Sequence, residues 1–155
     1  MYQGNSLVII PSYNEAENIV EIINDVLIQK ESFHLLIVDD NSPDKTYELV
    51  EEEIIKNPKK IFLIKREKKS GLGSAYLAGF KWAIENGYEK IFEMDADYSH
   101  DPKDLLRMNV FLDNDGYDVV IGSRYVSGVN VVNWPIQRVL LSYFASIYAL
   151  SLIHI

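Results

Sequence analysis

An alternation restricts the fold of this chain more than any other feature. Short continuous apolar runs recur at Leu7-Val8-Ile9-Ile10, Leu35-Leu36-Ile37-Val38, Ile61-Phe62-Leu63-Ile64 and Val119-Val120-Ile121, and the shorter Ile91-Phe92 centres a further strand, Lys90-Ile91-Phe92-Glu93-Met94. Strands covered on both faces read as unbroken apolar runs, because neither face meets water. Between them lie segments with helical spacing: Ile19, Ile22, Ile23, Val26 and Leu27; Leu49, Val50 and Ile54; Ala75, Leu77, Ala78, Phe80, Ala83 and Ile84; and Leu105, Leu106, Met108 and Val110. Pro11 is expected to end the first strand and Ser12 or Asn14 to cap the first helix, with Gly87 closing the third. Strands alternating with helices predict an α/β domain with a mostly parallel sheet and right-handed crossovers. No repeat, low-complexity tract or linker divides the sequence, so one domain over residues 1–155 is expected.

In open sheets of this kind ligands sit beyond the carboxyl ends of the strands. Polar groups gather at that edge: Tyr13-Asn14-Glu15 after the first strand, Asp39-Asp40 after the second, Asp95 and Asp97 after the fourth, and Ser123-Arg124 after the fifth. Asp95 and Asp97, one residue apart where the backbone turns, can converge on a hard cation. Mg²⁺ takes one or two carboxylates and completes its shell with phosphate and water oxygens. The plainer reading is a polar turn into a helix, with Asp101 as N-cap and Pro102 at the first helical position. It accounts for Asp101 but not for the two aspartates before the cap.

Asp39-Asp40 can accept hydrogen bonds from a ribose or a base, or can simply shape a helix-entry turn. Glu15 can complement a helix N-terminus or face a nucleoside. Gly71-Leu-Gly73 lacks the Gly-Lys-Ser/Thr ending of a phosphate loop, which favours capping or close backbone approach. Lys65, Arg66, Lys68 and Lys69 read by default as a solvated charge run, with a phosphate contact by one of them as the lesser alternative. Arg124 suits bidentate phosphate binding, or a surface ion pair. His100 neighbours the aspartates, while His34 and His154 read as structural.

Composition excludes some classes. There is no cysteine, hence no disulfide framework and no thiolate metal site. A formal net charge of -8 argues against a nucleic-acid binder. The charge is unevenly spread: from Arg124 onward there is no Asp or Glu, and residues 139–153 are almost wholly apolar. That stretch is short of the roughly 20 residues of a bilayer span and is diluted by Ser and Tyr, which favours a buried or membrane-surface helix.

Five motifs in order carry a family resemblance: Pro11-Ser-Tyr13-Asn14-Glu15-Ala-Glu17-Asn18-Ile19, Val38-Asp39-Asp40-Asn41-Ser42-Pro43-Asp44, Gly71-Leu-Gly73-Ser-Ala-Tyr76-Leu-Ala-Gly79-Phe80, Met94-Asp95-Ala96-Asp97-Tyr-Ser99-His100-Asp101-Pro102 and Val120-Ile-Gly122-Ser123-Arg124-Tyr125. Over nearly its whole length the chain resembles the dolichol-phosphate mannosyltransferases (polyprenol-monophosphate mannose synthases), family-2 glycosyltransferases of GT-A, Rossmann-like fold. The resemblance implies inverting transfer of mannose from GDP-mannose to a polyprenyl or dolichyl phosphate, with Mg²⁺ or Mn²⁺. It implies a nucleotide-sugar pocket of Pro11, Tyr13, Glu15, Val38, Asp40 and Ala96. Asp95 and Asp97 would hold the metal and diphosphate, and Arg124 would contact phosphate; these last three would be catalytic.

The same resemblance makes 135–155 an apolar helix leading toward the acceptor and membrane side, through Asn133-Trp134, Arg138 and Ser142. It implies a cytoplasmic protein held peripherally on the cytoplasmic face of a membrane. Asn41 and Lys45 stand where the family usually carries Gly, so each asks for a strained or altered turn. Tyr98 replaces a frequent Leu. The family continues beyond the position of Ile155, which implies a C-terminally truncated domain whose apolar helix can self-associate. Two alternatives stand beside mannosyl transfer: a prenyl-phosphate glucosyltransferase using UDP-glucose, and a nucleotide-binding module without turnover.

Overall fold

A computed structural model of the chain describes residues 6–29, 33–114, 116–122 and 136–153. The elements are β1 (Ser6–Ser12), α1 (Ile19–Leu27), β2 (Phe33–Asp39), α2 (Thr46–Lys56), β3 (Ile61–Lys65), α3 (Leu72–Glu85), β4 (Lys90–Glu93), α4 (Asp104–Asn114) and α5 (Ile136–Ile153). The four strands form one sheet in the order β3-β2-β1-β4, with every neighbouring pair parallel. The chain steps outward from β1 to β3, then returns through α3 to place β4 on the other side of β1. The order therefore reverses between β1 and β4, and there a crevice opens at the carboxyl ends.

Both faces of the sheet are covered, which explains the unbroken apolar runs. Val8, Ile10, Leu35, Ile37 and Phe92 pack against α1, Val50 and Leu105. The alternate residues Leu7, Ile9, Leu36 and Val38 pack against Ala75, Ala83 and Tyr88. Gly79 lets α3 lie directly on β1: a Cβ there would stand 2.7 Å from Ile9 Cγ2. The expected helix end at Gly87 is present. Gly87 has φ 78° and its N–H donates to Ile84 O, while Tyr88 N–H donates to Ala83 O, a left-handed cap that satisfies two terminal carbonyls. Asp101 likewise caps α4, accepting the Lys103 N–H at 3.0 Å.

Three expectations differ from the structure. β1 runs through Pro11 to Ser12. A proline is tolerated there because β4 pairs with β1 only as far as Ile9, so no ladder bond on that side is lost. Neither Ser12 nor Asn14 caps α1. The Ser12 hydroxyl donates to Asp39 and the Asn14 N–H to Ser42, and Glu15 O receives the N–H groups of Asn18 and Ile19 instead. Val119-Val120-Ile121 forms no strand: Val119 is 72% and Ile121 82% exposed. A run of three residues gains few ladder bonds and, without a covering helix, buries no face.

The chain divides into two compact units, Met1–Val120 and Ile121–Ile155. In the second, α5 exposes Leu140, Leu141, Phe144, Ile147 and Tyr148 rather than burying them. Among the described residues no helix is long and apolar enough to cross a membrane.

Candidate functional site

Loops following β1, β2, β3 and β4 line a pocket of about 280 Å³ at the carboxyl edge of the sheet, within the first unit. It gathers Pro11, Tyr13, Glu15, Val38, Asp40, Asp95, Ala96 and Asp97, all singled out in the sequence. Arg124, Ser123, Asn133 and Trp134 lie outside the described residues.

The floor is stitched by short polar side chains. Asp39, fully buried, accepts the Ser12 hydroxyl at 2.9 Å, the Ser42 hydroxyl at 2.6 Å and the Ser42 N–H at 2.9 Å. Asp44 accepts the Thr46 hydroxyl and N–H and the Ala16 N–H, and the Thr46 hydroxyl in turn accepts the Glu15 N–H. The loops after β1 and β2 are thus one network. Of the pair Asp39-Asp40, the first is spent on structure and corrects the nucleoside reading for that residue. The turn needs left-handed backbone at Asn14 (φ 61°), Asn41 (φ 56°) and Lys45 (φ 64°). Asn adopts this conformation at modest expense, whereas at Lys45 it is strained. The strain expected of Asn41 and Lys45 as replacements for Gly is therefore present in the backbone.

Asp40 points into the pocket wall, 5% exposed. Burial raises its pKa, but the Arg66 guanidinium, the Ser70 N–H and the nearby Lys69 outweigh that and hold the carboxyl below its ordinary value. Arg66 grips it with Nε and Nη2, the latter at 2.7 Å, while Nη1 donates to the Ser74 hydroxyl at 2.8 Å. The charge run is therefore not uniformly solvated: Arg66 is half-buried while Lys65, Lys68 and Lys69 are exposed. Lys69 lines the pocket and lays its ammonium over the Tyr13 ring, 3.9 Å from the centroid. Gly71, with φ 92°, starts α3 in a conformation that side chains disfavour and brings its backbone to the pocket edge.

Across the pocket, the Tyr76 hydroxyl donates to Asp95 Oδ1 at 3.0 Å, and the Asp95 N–H donates to His100 Nδ1 at 3.2 Å. Burial, then the carboxylates of Asp95, Glu93 and Asp97, push the Tyr76 phenol well above its ordinary pKa, so it remains a donor. Burial would raise Asp97, but the Ser99 hydroxyl and N–H and the His100 ring bring it below the usual carboxylate value. Tyr98, between them in sequence, has φ 57°, an outlier for an aromatic residue. Burial, then the carboxylates of Asp25 and Glu21 that its hydroxyl reaches, raise its pKa to about 12.

No group of three or more His, Cys, Asp or Glu among the described residues could hold a metal ion. Asp95 and Asp97 supply hard anionic oxygens but too few to enclose a cation. They fit an ion that shares its shell with the oxygens of a bound diphosphate.

The sequence reading assigned no pairing to Arg66 or Tyr76, and left Lys69 as one of four cations of which one could contact phosphate. Arg66 directly follows β3 at the same carboxyl edge, so the positional rule used for the other strands also selects it. Tyr76 lies five residues past Gly71, on the first turns of α3.

A family model described as Glycosyl transferase family 2 matches residues 7–152. The chain belongs to glycosyl transferase family 2. It is 46% identical over 144 residues to the polyprenol monophosphomannose synthase of Mycolicibacterium smegmatis, covering 93% of this chain and 54% of that protein. It is 40% identical over 142 residues to the undecaprenyl-phosphate mannosyltransferase of Micrococcus luteus, covering 92% of this chain and 57% of that one. The chain thus spans about half the length of these family members. Among solved structures, S. aureus TarS 1-349 in complex with UDP-GlcNAc superposes with a TM-score of 0.66 at 27% identity, over 84% of this chain and 37% of that chain. The parallel α/β sheet is accordingly the nucleotide-sugar transferase fold expected from the motifs.

Proposed function

We propose that this chain carries the donor-binding half of a glycosyltransferase that moves mannose from GDP-mannose to a polyprenyl phosphate with inversion at the anomeric carbon. The observation that carries the reading is convergence. Four of the five motifs, scattered from Pro11 to Asp97, close around one pocket that holds both an ionised Asp40 and the Asp95/Asp97 pair. The relatives named above, mannosyltransferases acting on polyprenyl phosphates, supply the sugar and the acceptor class.

Asp40, held anionic by Arg66, suits the ring N–H of a nucleobase, with the Tyr13 ring and Pro11 as apolar walls. Lys69 is positioned to follow phosphate charge, since its Tyr13 contact is exposed and readily exchanged. Asp95 and Asp97 would hold Mg²⁺ or Mn²⁺ together with the diphosphate; when bound, the cation offsets the negative charge that develops on the leaving diphosphate. The acceptor phosphate is already an anion and needs no general base. Its oxygen bonds to the anomeric carbon as the bond from that carbon to the diphosphate oxygen breaks, and the electron pair leaves with GDP. Arg124, carried over from the family motif, would contact phosphate. A lipid acceptor implies peripheral attachment to the cytoplasmic face of a membrane, for which the acid-free, apolar segment of α5 is suited. The same exposed apolar side chains suit self-association of α5.

A uridine diphosphate sugar such as UDP-glucose is the alternative donor. TarS binds one, and a carboxylate at Asp40 accepts an N–H from uracil as from guanine. Calorimetric titration with GDP-mannose and UDP-glucose, with and without Mn²⁺, separates these readings. Metal-dependent binding of GDP-mannose that is lost in Asp97→Ala is the expected result. Preference for UDP-glucose overturns the donor, and indifference to Mn²⁺ overturns the role of the two aspartates. Binding with no mannosyl transfer to a polyprenyl phosphate in vesicles identifies a donor-binding module without turnover.

A further inference from the structure

We infer that Tyr76 is a positioning residue for Asp95, holding by one oxygen the carboxylate that would share a cation with a diphosphate. The inference rests on the assignment of Asp95 and Asp97 to that complex and extends it to a residue on a different element. Tyr76 lies on α3, whereas Asp95 follows β4, so their contact joins the glycine-rich motif to the carboxylate pair. The ring is half-buried and stacked on Phe80, with centroids 6.3 Å apart, which restricts where the hydroxyl can point. Its neighbour Ala75 is buried against the sheet and Gly79, one turn on, touches Ile9, so the helix that carries the ring cannot drift.

The hydroxyl donates to Oδ1 at 3.0 Å, and nothing else among the described residues bonds the Asp95 side chain. Oδ2 thus stays open on a carboxylate that the Tyr76 hydroxyl holds by its other oxygen. The backbone of Asp95 is held as well, its N–H donating to His100 Nδ1. Asp97 has a parallel arrangement, its Oδ1 accepting the Ser99 N–H at 2.9 Å. Asp97 is thus tied by Ser99 of its own loop, through both hydroxyl and N–H, whereas Asp95 is tied by a side chain from another element. Outer partners of this kind orient ligands that would otherwise rotate freely and lose entropy on binding.

The test is Tyr76→Phe, which removes one oxygen and keeps the packing. Mn²⁺ binding is read by electron paramagnetic resonance of the free ion in the presence of GDP. GDP binding without metal is read separately by calorimetry. The expected result is a loss of roughly 10- to 100-fold in Mn²⁺ affinity, with metal-free GDP binding within about twofold of wild type. In an Asp95→Asn background the same substitution has little further effect, because the acceptor it orients has already lost its charge. Unchanged Mn²⁺ affinity overturns the inference, as does an equal loss of metal-free GDP binding, which marks a packing role. If the wild-type chain binds GDP but no Mn²⁺, the assignment of the two aspartates fails, and the inference with it. Wild-type binding in which only Tyr76→Phe is silent overturns the inference alone.

Discussion

Replacing Arg66 by Met tests whether the pocket wall is held by a desolvated ion pair. The Asp40 side chain is 7% exposed and that of Arg66 15%, so neither charge is well hydrated. Removing the guanidinium leaves a buried carboxylate with the Ser70 N–H as its closest remaining donor, at 3.0 Å. Stranding one member of such a pair costs about 3–5 kcal/mol. With an m value of about 2 kcal/mol/M in urea, the unfolding midpoint falls by about 1.5–2.5 M. Asp40→Asn combined with Arg66→Met removes the stranded charge and restores more than half of the loss, a coupling of at least about 2 kcal/mol.

The pH dependence reverses sign between the two proteins. In the wild type the folded pKa of Asp40 is depressed, so its contribution is complete above the unfolded carboxylate value and is lost as pH falls through the lower folded value. Without Arg66, burial governs and the folded pKa rises above the unfolded one, so the variant gains stability as pH falls from 7 toward 4. Urea titrations followed by circular dichroism at several pH values measure both effects. A loss under about 1 kcal/mol for Arg66→Met, or a double variant no better than the sum of the single ones, refutes the coupled buried pair.

Two further substitutions test the packing and backbone that shape the pocket. Gly79→Ala drives a methyl into Ile9 and destabilises by about 1–3 kcal/mol in chemical denaturation, because Ile9 is fully buried and cannot swing away. Lys45→Gly relieves the left-handed backbone before α2 and raises the thermal midpoint by about 2 °C in scanning calorimetry, a modest gain because glycine also loosens the unfolded chain. A fall in midpoint contradicts the assignment of strain to Lys45.

Strands β1 to β3 were legible because a residue covered on both faces is apolar wherever it falls along the run, so four consecutive residues announce the strand, whereas β4 showed only Ile91-Phe92 between Lys90 and Glu93. The helices were legible from spacing, and the carboxyl edge from the position of Asp40, Asp95 and Asp97 after those runs. The fifth strand was misread from the same signal: Val119-Val120-Ile121 has strand-like composition, but pairing needs a partner and a covering layer, which three residues do not encode. Ser12 and Asn14 were misplaced as caps because their partners, Asp39 and Ser42, are distant in sequence.

The local pattern of apolar and polar residues alone determined that this chain builds a parallel α/β layer with its polar chemistry at one edge. The family resemblance, through Asn41 and Lys45 at positions where the family usually carries Gly, added that the turn after β2 would be strained. The tertiary structure decided the order β3-β2-β1-β4, and with it the crevice between β1 and β4. It also decided which of several like charges does what. Asp39 turns inward and Asp40 faces the pocket because successive residues at the end of a strand point to opposite sides. Arg66, among four neighbouring cations, meets Asp40, and Tyr76 meets Asp95. Those pairings depend on the paths of separate loops in space, and identical residue types in a row carry no signal of which one the fold will bring into contact.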